Sequence, residues 1–397
     1  MTPAKTTTAK TSVATLERAA ETTLASNTGL TRLPSTRHLG SDDVAAFGAA
    51  VKAIGERVMA DLGKRDERYL RRLLRAHLVL EVSGRVVIFM GILYPVLFVI
   101  GALILGLAKI INNMEIGHNV LHGQWNWLKD PRIDSRTWEW DGVCPARQWQ
   151  RSHNVIHHKW TNVLGKDRDY GYEALRVSDK QPWRPYHLSQ PLINLLMAVY
   201  FQWGVAIHDD ELANLRNPDA SKAEKQRARS KLHELLIKIA RQVGKDYILF
   251  PLLAGPYFFS VLLANMGANL VRNLWAYAVI FCGHFPDGVE EFHESDVENE
   301  DRAGWYVRQV LGSANIEGGP WLHLLSGHLS HQIEHHLFPA MPSHRYPEIA
   351  PEIRALCDRY GIRYNSRPLL PQLFSVWRKI FRYALPPQTK PAKPADA

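Results

Sequence analysis

The chain has 397 residues, 48 Lys and Arg against 39 Asp and Glu, a net charge of +9 and 46% hydrophobic residues. Such a length allows one large domain or two ordinary ones, and such a charge raises nucleic acid as a partner; but the Lys and Arg gather beside apolar segments, as the positive-inside rule expects of a membrane protein, so no nucleic-acid role is expected. The three scattered cysteines, Cys144, Cys282 and Cys357, exclude a disulfide framework and a Cys-ligated zinc or iron–sulfur site, and point to a working face in the cytoplasm.

Residues 1–41 are rich in Thr, Ala and Ser, lack an apolar core, and read as a disordered tail rather than a secretory signal. From Asp42 to His77, apolar residues recur at spacings of three and four between basic clusters, which predicts amphipathic helices in the cytoplasm or on the membrane surface. Val86–Ala108 is an uncharged run of 23 residues, broken by Pro95 and several glycines. A single crossing would separate the basic stretch before it from the histidines after it, so two crossings are expected, the second ending near Asn112 and Asn113. No apolar span falls within 115–190. Three more candidates follow: Pro191–Ile207, Tyr247–Ala264 and Ala268–Phe281. The loop between the first two is basic and should be cytoplasmic. The preferred solution is a hairpin of the last two, turning at Asn265–Gly267, with Pro191–Ile207 in the interface. In the alternative, Pro191–Ile207 spans and Ala268–Phe281 lies flat, which Arg272 and Asn273 slightly favour. The reading is an all-α integral membrane protein, multi-pass, with about four transmembrane helices. Its C-terminal segment, 351–397, reads as cytoplasmic, with a disordered Pro/Lys-rich tail from Pro386.

Histidine carries the chemical signal. Five of the 18 histidines fall between His323 and His336, and two earlier clusters match them: His118 with His122, and His153 with His157 and His158. Histidines four apart stack on one helical face and can point at one ion, and a doubled His turns a second ring about 100° away. Three clusters far apart in sequence predict a metal site assembled from several segments. All-imidazole ligation suits zinc, copper, nickel or iron. With His335, His336 and an isolated His284 at a predicted membrane exit, the set exceeds one ion's needs and suits two. His328 and His331 are expected just outside the ligand set. His323, His344, His38, His77, His187, His208, His233 and His293 are expected to be incidental. No His-Glu-x-x-His, P-loop, Gly-x-Gly-x-x-Gly or Gly-x-Ser-x-Gly occurs, so neither a metalloprotease nor a nicotinamide or flavin domain is expected, and electrons must come from another protein.

His118-x3-His122, His153-x3-His157-His158 and Gln332-Ile-Glu-His335-His336 resemble, in order and spacing, the three histidine boxes of membrane fatty acid desaturases. Gln332 stands where many members have the first His of the third box, a form typical of the front-end and bacterial acyl-lipid or acyl-CoA branch. Asn162-x-x-Gly165-x-Asp167 follows the second box as in relatives, and Gly283-His284-Phe285-Pro286 resembles the place of a further His ligand. The resemblance covers roughly residues 70–350. It implies a helical membrane bundle under a cytoplasmic helical cap, within a desaturase domain spanning 78–350, the cap holding two irons. It implies an enzyme that uses O2 and two electrons to place a cis double bond in an acyl-CoA or acyl-lipid chain. The implied metal ligands are His118, His122, His153, His157, His158, His335 and His336, with His284 added and Gln332 at or beside the metal. The His-Pro-Gly-Gly signature of a fused cytochrome b5 is absent, which implies a separate donor: ferredoxin, rubredoxin, cytochrome b5 or a flavin reductase. A hydroxylase or ketolase on the same scaffold is the alternative enzyme. A His-rich membrane haem or metal carrier is the non-catalytic alternative, and the position of the boxes outside the predicted spans speaks against it.

Overall fold

The computed structural model describes residues 33–208 and 210–387. Most of the tail expected before Asp42, and most of the one after Pro386, lies outside the described residues. Helix α1 (Ser41–Ala60) carries Val44, Phe47, Val51, Ile54 and Val58 at helical spacing, and all five bury. The Asp43 carboxylate accepts the Gly40 N–H at 2.9 Å and closes the first turn. Helix α2 (Lys64–Met90) starts the same way, with Asp66 accepting from Gly63 N–H at 2.8 Å. It runs unbroken to Met90, so the division expected after His77 falls inside a continuous helix.

The chain reverses at Gly91–Pro95, where proline removes a helical donor. Helix α3 returns as Val96–Ile110, continues through π-helical turns at Ile111–His118 and ends at Asn119–Leu121. Two glycines set the closeness of this hairpin. A Cβ on Gly84 would lie 2.8 Å from the Leu105 nitrogen, and one on Gly101 would lie 2.6 Å from that of Ile88. Val96–Leu121 is long and apolar enough to cross a membrane.

Helix α4 begins at Ala146–Gln150 and passes through the π-helical Arg151–His157 to His158–Trp160. Helices α5 (Gln190–Val199) and α6 (Phe201–Ile207) are bent at Tyr200, the bent pair turning by 100°, so the predicted segment Pro191–Ile207 is not one straight rod. Helix α7 (Lys222–Val243) opens on a reciprocal cap between Ser221 and Glu224 and continues through Gly244–Leu249 and Phe250–Leu253. The second hairpin turns at Ala254–Tyr257, with Gly255 at φ 55° and Pro256 beside it. Helix α8 (Phe258–His284) then runs without interruption. The turn expected at Asn265–Gly267 is therefore eleven residues away from the real one at Ala254. Its residues instead join helices: Asn265 donates to the Asp246 carbonyl at 2.7 Å, Asn269 to the Asp246 carboxylate at 3.2 Å, and Gly267 faces Ala102.

A buried ion cluster ties the two hairpins. Lys109 of α3 meets Asp246 at 2.7 Å and Asp141 at 2.9 Å, and Arg85 of α2 meets Asp246 at 3.2 Å. Removing one partner would leave a charge buried and unpaired, a change that costs about 3–5 kcal/mol in comparable pairs. Leu93, Val99 and Leu103 of the first hairpin and Leu252, Phe259 and Leu263 of the second are exposed. After α8 the chain forms α9 (Arg302–Leu311), β1 (Asn315–Glu317), α10 (Pro320–Leu325), α11 (Gln332–Leu337), α12 (Tyr346–Tyr360), β2 (Ser366–Pro368) and α13 (Leu369–Ala384). β2 pairs parallel with β1, Asn315 opposite Ser366. Helices α1, α9, α11 and α12 share one apolar core that includes Phe47, Val310, Ile333, Ile349 and Ile353. Burying a side chain such as Phe47 contributes about 1.5–3 kcal/mol. This core holds α11, whose His335 and His336 lie against His118 of α3, His158 of α4 and His284 of α8.

Candidate metal centre

The four histidine-bearing segments converge. The ligand atoms of His118, His122, His153 and His335 all lie within 4.8 Å of one another, as do those of His157, His284 and His336. His158 sits between the groups, its ring 4.5 Å from that of His336, 4.9 Å from that of His335 and 4.8 Å from that of His122. Thus all eight histidines singled out from the sequence meet in one place. The π-helical turns help explain how: each widens the helix at its histidines, a distortion that recurs at functional sites.

The rings are aimed by hydrogen bonds on their other nitrogen. Asp167 accepts from His157 Nδ1 at 3.0 Å, and Gln309 Oε1 lies 2.8 Å from His336 Nδ1. Asn119 Oδ1 lies 3.1 Å from His118 Nδ1, and Asp169 stands 3.4 Å from His153 Nδ1. Tyr346 lies 3.4 Å from His335 Nδ1, and Trp149 stacks on His153 with ring centres 4.4 Å apart. Asp167 is itself fixed, accepting the backbone N–H groups of Asn162 at 2.8 Å and Asp169 at 3.0 Å. The motif at Asn162–Asp167 made Asp167 legible; Asp169, Gln309 and Tyr346 carry no local signal.

What remains on these rings is a set of unmatched atoms. Nε2 of His122, His153, His157, His335 and His336, Nδ1 of His284, and both ring nitrogens of His158 are buried without a protein partner. Each such atom costs about 1–3 kcal/mol if nothing binds it. Burial, with neighbouring rings adding to it, pushes the pKa of His153, His158, His335 and His336 well below the ordinary histidine value, so they are neutral and hold free lone pairs. At His157 burial opposes the charge, but the Asp167 carboxylate outweighs it and the pKa rises. Buried neutral imidazoles with free lone pairs, in two neighbouring groups, fit a pair of transition-metal ions.

Gln332 is in neither group. Its amide nitrogen lies 3.0 Å from His284 Nε2, and its Oε1 is buried without a partner. Gly283 permits this approach, since a Cβ there would meet Gln332 at 2.9 Å. His328 binds Glu115 at 2.9 Å; the Glu115 carboxylate accepts from Ser343, which accepts from Asn119, and the Glu115 carbonyl accepts from Asn119 directly at 2.9 Å. His331 packs on His323, and burial lowers its pKa to about 3. Neither joins a group, nor do the histidines expected to be incidental. Among these His344 bonds to Asp66 at 2.8 Å, and His208 lines the cavity described next.

A cavity opens beside the histidines, about 1020 Å³ of space free of protein atoms when its open mouth is counted. His118, His153, His157, His284 and Gln332 line one end; Val143, Trp149, Tyr172, Phe201, Ala276 and Ile280 form much of its apolar wall. Ala276, Ile280 and His284 succeed one another by one turn of α8, so the cavity follows that helix away from the centre. Arg272 and Asn273 stand farther along. A long, mostly apolar slot leading to buried imidazoles suits an extended hydrocarbon.

The family model for fatty acid desaturase matches residues 94–368. The chain is 45% identical over 353 residues to the NADPH-dependent stearoyl-CoA 9-desaturase of Mycobacterium tuberculosis, covering 88% of this chain and 82% of that protein. It is 26% identical to the sn-1 linoleoyl-lipid 6-desaturase of Arthrospira platensis, covering 67% of this chain and 72% of that protein. A fatty acid desaturase 2-like protein of Mus musculus is 32% identical over 60% of this chain and 46% of its own length.

Proposed function

This chain belongs to the fatty acid desaturase family and is an O2-dependent acyl desaturase; on that premise we propose that its cofactor is a pair of irons, one held by His118, His122, His153 and His335, the other by His157, His284 and His336, with His158 between them. The observation that carries this reading is the set of buried, unpartnered ring nitrogens turned toward one another. Bound there, the irons supply the redox chemistry: one O2, two electrons and two protons from outside, and two hydrogens from adjacent acyl carbons yield two waters and one double bond.

The protein's own residues bind, orient and exclude. The wall of Val143, Trp149, Phe201 and Ile280 would take the acyl chain out of water and hold one methylene pair against the histidines. Asp167, Gln309 and Tyr346 hold Nδ1 of their histidines, so that Nε2 is presented at a fixed angle. Gln332 steadies His284. The exposed apolar faces of the α2–α3 hairpin and of the hairpin that ends in α8 support four crossings under a cytoplasmic cap, with α1 and the start of α2 at the membrane surface. The name of the mycobacterial relative supports an acyl-CoA substrate and NADPH as the source of reducing power; a separate electron-transfer protein to deliver those electrons is part of the proposal.

The test is reconstitution. Iron-loaded protein, given reductant, O2 and stearoyl-CoA, should yield a mono-unsaturated product whose double bond is located by mass spectrometry, and His157→Ala should abolish it. A hydroxylated product would overturn the desaturation chemistry. Turnover of a lipid-linked chain but not of the CoA ester would overturn the substrate class.

A further inference from the structure

The last described helix has three faces. At about 100° per residue, Leu370, Phe374, Trp377 and Phe381 fall within about 60° of one another on α13. Leu370 is 75% exposed, Phe374 71% and Phe381 54%, and Leu385, just past the helix end, is 61% exposed. The opposite face is packed: Gln372, Ser375, Val376 and Ile380 are buried. Along one flank of the apolar stripe run Arg378 and Arg382; no acidic residue occurs between Leu369 and Ala384, and Arg367 precedes the helix. A helix fully held by the protein would not expose two phenylalanines and two leucines, and a helix in free water rarely does.

Its neighbours extend the same surface. Gln190, at the start of α5, donates to the Ile380 carbonyl at 2.6 Å, and Trp183 to the Ala384 carbonyl at 2.9 Å. On α5, Leu192, Leu195 and Leu196 are exposed in turn. Helix α13 also packs on α8, whose own outward residues Phe259, Leu263, Met266 and Leu270 are exposed at helical spacing.

We infer that α13 lies in the cytoplasmic membrane interface, its Leu370–Phe374–Phe381–Leu385 stripe inserted among acyl chains and Arg367 and Arg382 on anionic lipid headgroups. The bilayer is chosen as occupant because the stripe adjoins helices that expose apolar faces of their own and because its rim is cationic, the pattern of helices that lie in an interface. The inference rests on the membrane placement proposed above. The helix is bolted to the segment leaving the metal centre: Ser375 Oγ accepts from the Asp287 N–H at 3.2 Å, Lys379 reaches the Pro286 carbonyl at 3.4 Å, and Arg378 pairs with Asp287. Lipid contact on one face of α13 therefore also anchors the chain just after His284.

The experiment is site-directed spin labelling of the full-length holoenzyme in nanodiscs of phosphatidylcholine with phosphatidylglycerol. Single cysteines are placed at 370, 374, 378, 381 and 382, with 263 on α8 as a membrane control and 363 as an aqueous control; the native cysteines are buried, so wild type gives the background. At each site the collision rates with O2 and with a water-soluble nickel chelate are compared. The expected result is high O2 and low nickel collision at 370, 374 and 381, reversing at 378 and 382, so that the ratio rises and falls once per turn. Nickel collision at 370, 374 and 381 equal to that at 363, with 263 still in lipid, would overturn the inference and leave the membrane placement intact. Low collision with both reagents at the stripe would show protein cover and would also overturn it. If 263 itself reads as aqueous, the membrane placement falls and this inference falls with it.

Discussion

Asp167→Asn is the change that most sharply separates aiming a ligand from being one. The carboxylate is fully buried and accepts three N–H groups: His157 Nδ1 at 3.0 Å, Asn162 N at 2.8 Å and Asp169 N at 3.0 Å. Asparagine keeps the shape but offers one acceptor oxygen, so at least one donor loses its charge-assisted bond and faces an NH2 group instead. A hydrogen bond to a charged group contributes about 1.5–3 kcal/mol, which corresponds to about a 10- to 100-fold weakening, the range typical when the partner of a metal-bound histidine is removed. That loss falls first on His157, grouped with His284 and His336; His118 and His335 are aimed by Asn119 and Tyr346, and only His153, through Asp169, shares a link to Asp167. Titration of the metal-free variant with Fe(II) should therefore show one iron bound as in wild type and one bound about 10- to 100-fold more weakly, with turnover following the weak site. Equal weakening of both irons would refute this division of the histidines. Wild-type affinity and turnover would refute the orienting role altogether.

Gln309→Leu should act on the same group through His336 and Thr161, whose Oγ donates to Gln309 Oε1 at 2.9 Å; kcat is expected to fall about 10- to 100-fold with KM for the acyl substrate little changed, measured by steady-state kinetics. Ala276→Trp fills the cavity two turns of helix from His284 and should shift preference toward shorter acyl chains. Each methylene that no longer fits is worth about 10- to 200-fold in kcat/KM, read from competition between acyl substrates of different length. Gly101→Ala drives a Cβ to 2.6 Å from the Ile88 backbone nitrogen, where no flexible side chain can yield; it should cost about 1–3 kcal/mol and lower the unfolding midpoint in detergent, whereas Gly204→Ala, with open space around it, should not.

Much of the centre was legible because histidine is scarce and its spacing is meaningful. His118 with His122, and His153 with His157 and His158, sit on or at the end of helices as the four-residue spacing requires, and isolated His284 was marked by its place at a predicted membrane exit and by the resemblance of Gly283-His284-Phe285-Pro286. The π-helical turns were not legible, since a single extra residue in a helical turn leaves no pattern of its own. Nor were Gln309 and Tyr346, which reach the centre from α9 and α12 across long stretches of chain. The second hairpin was misplaced because Asn265-Met-Gly267 carries turn-forming residues. In the fold their side chains and small size serve packing against Asp246 and Ala102, and the true turn signal is Gly255-Pro256. Arg272 and Asn273, which argued against a span on composition, are accommodated because they are buried: Arg272 donates to Asn269, Asn273 and the Asp141 carbonyl, and Asn273 to the Val199 carbonyl. Hydrogen bonds inside the protein satisfy polarity that composition alone counts against a long apolar helix.

The central claim is that eight histidines from four segments hold two irons in neighbouring, separately aimed groups. The most direct measurement is the iron content and X-ray absorption of purified active enzyme. The account predicts two irons per polypeptide, ligated by nitrogen and oxygen with no sulfur, falling to about one in Asp167→Asn at limiting iron. One iron or none per fully active polypeptide, or sulfur in the coordination sphere, would contradict it.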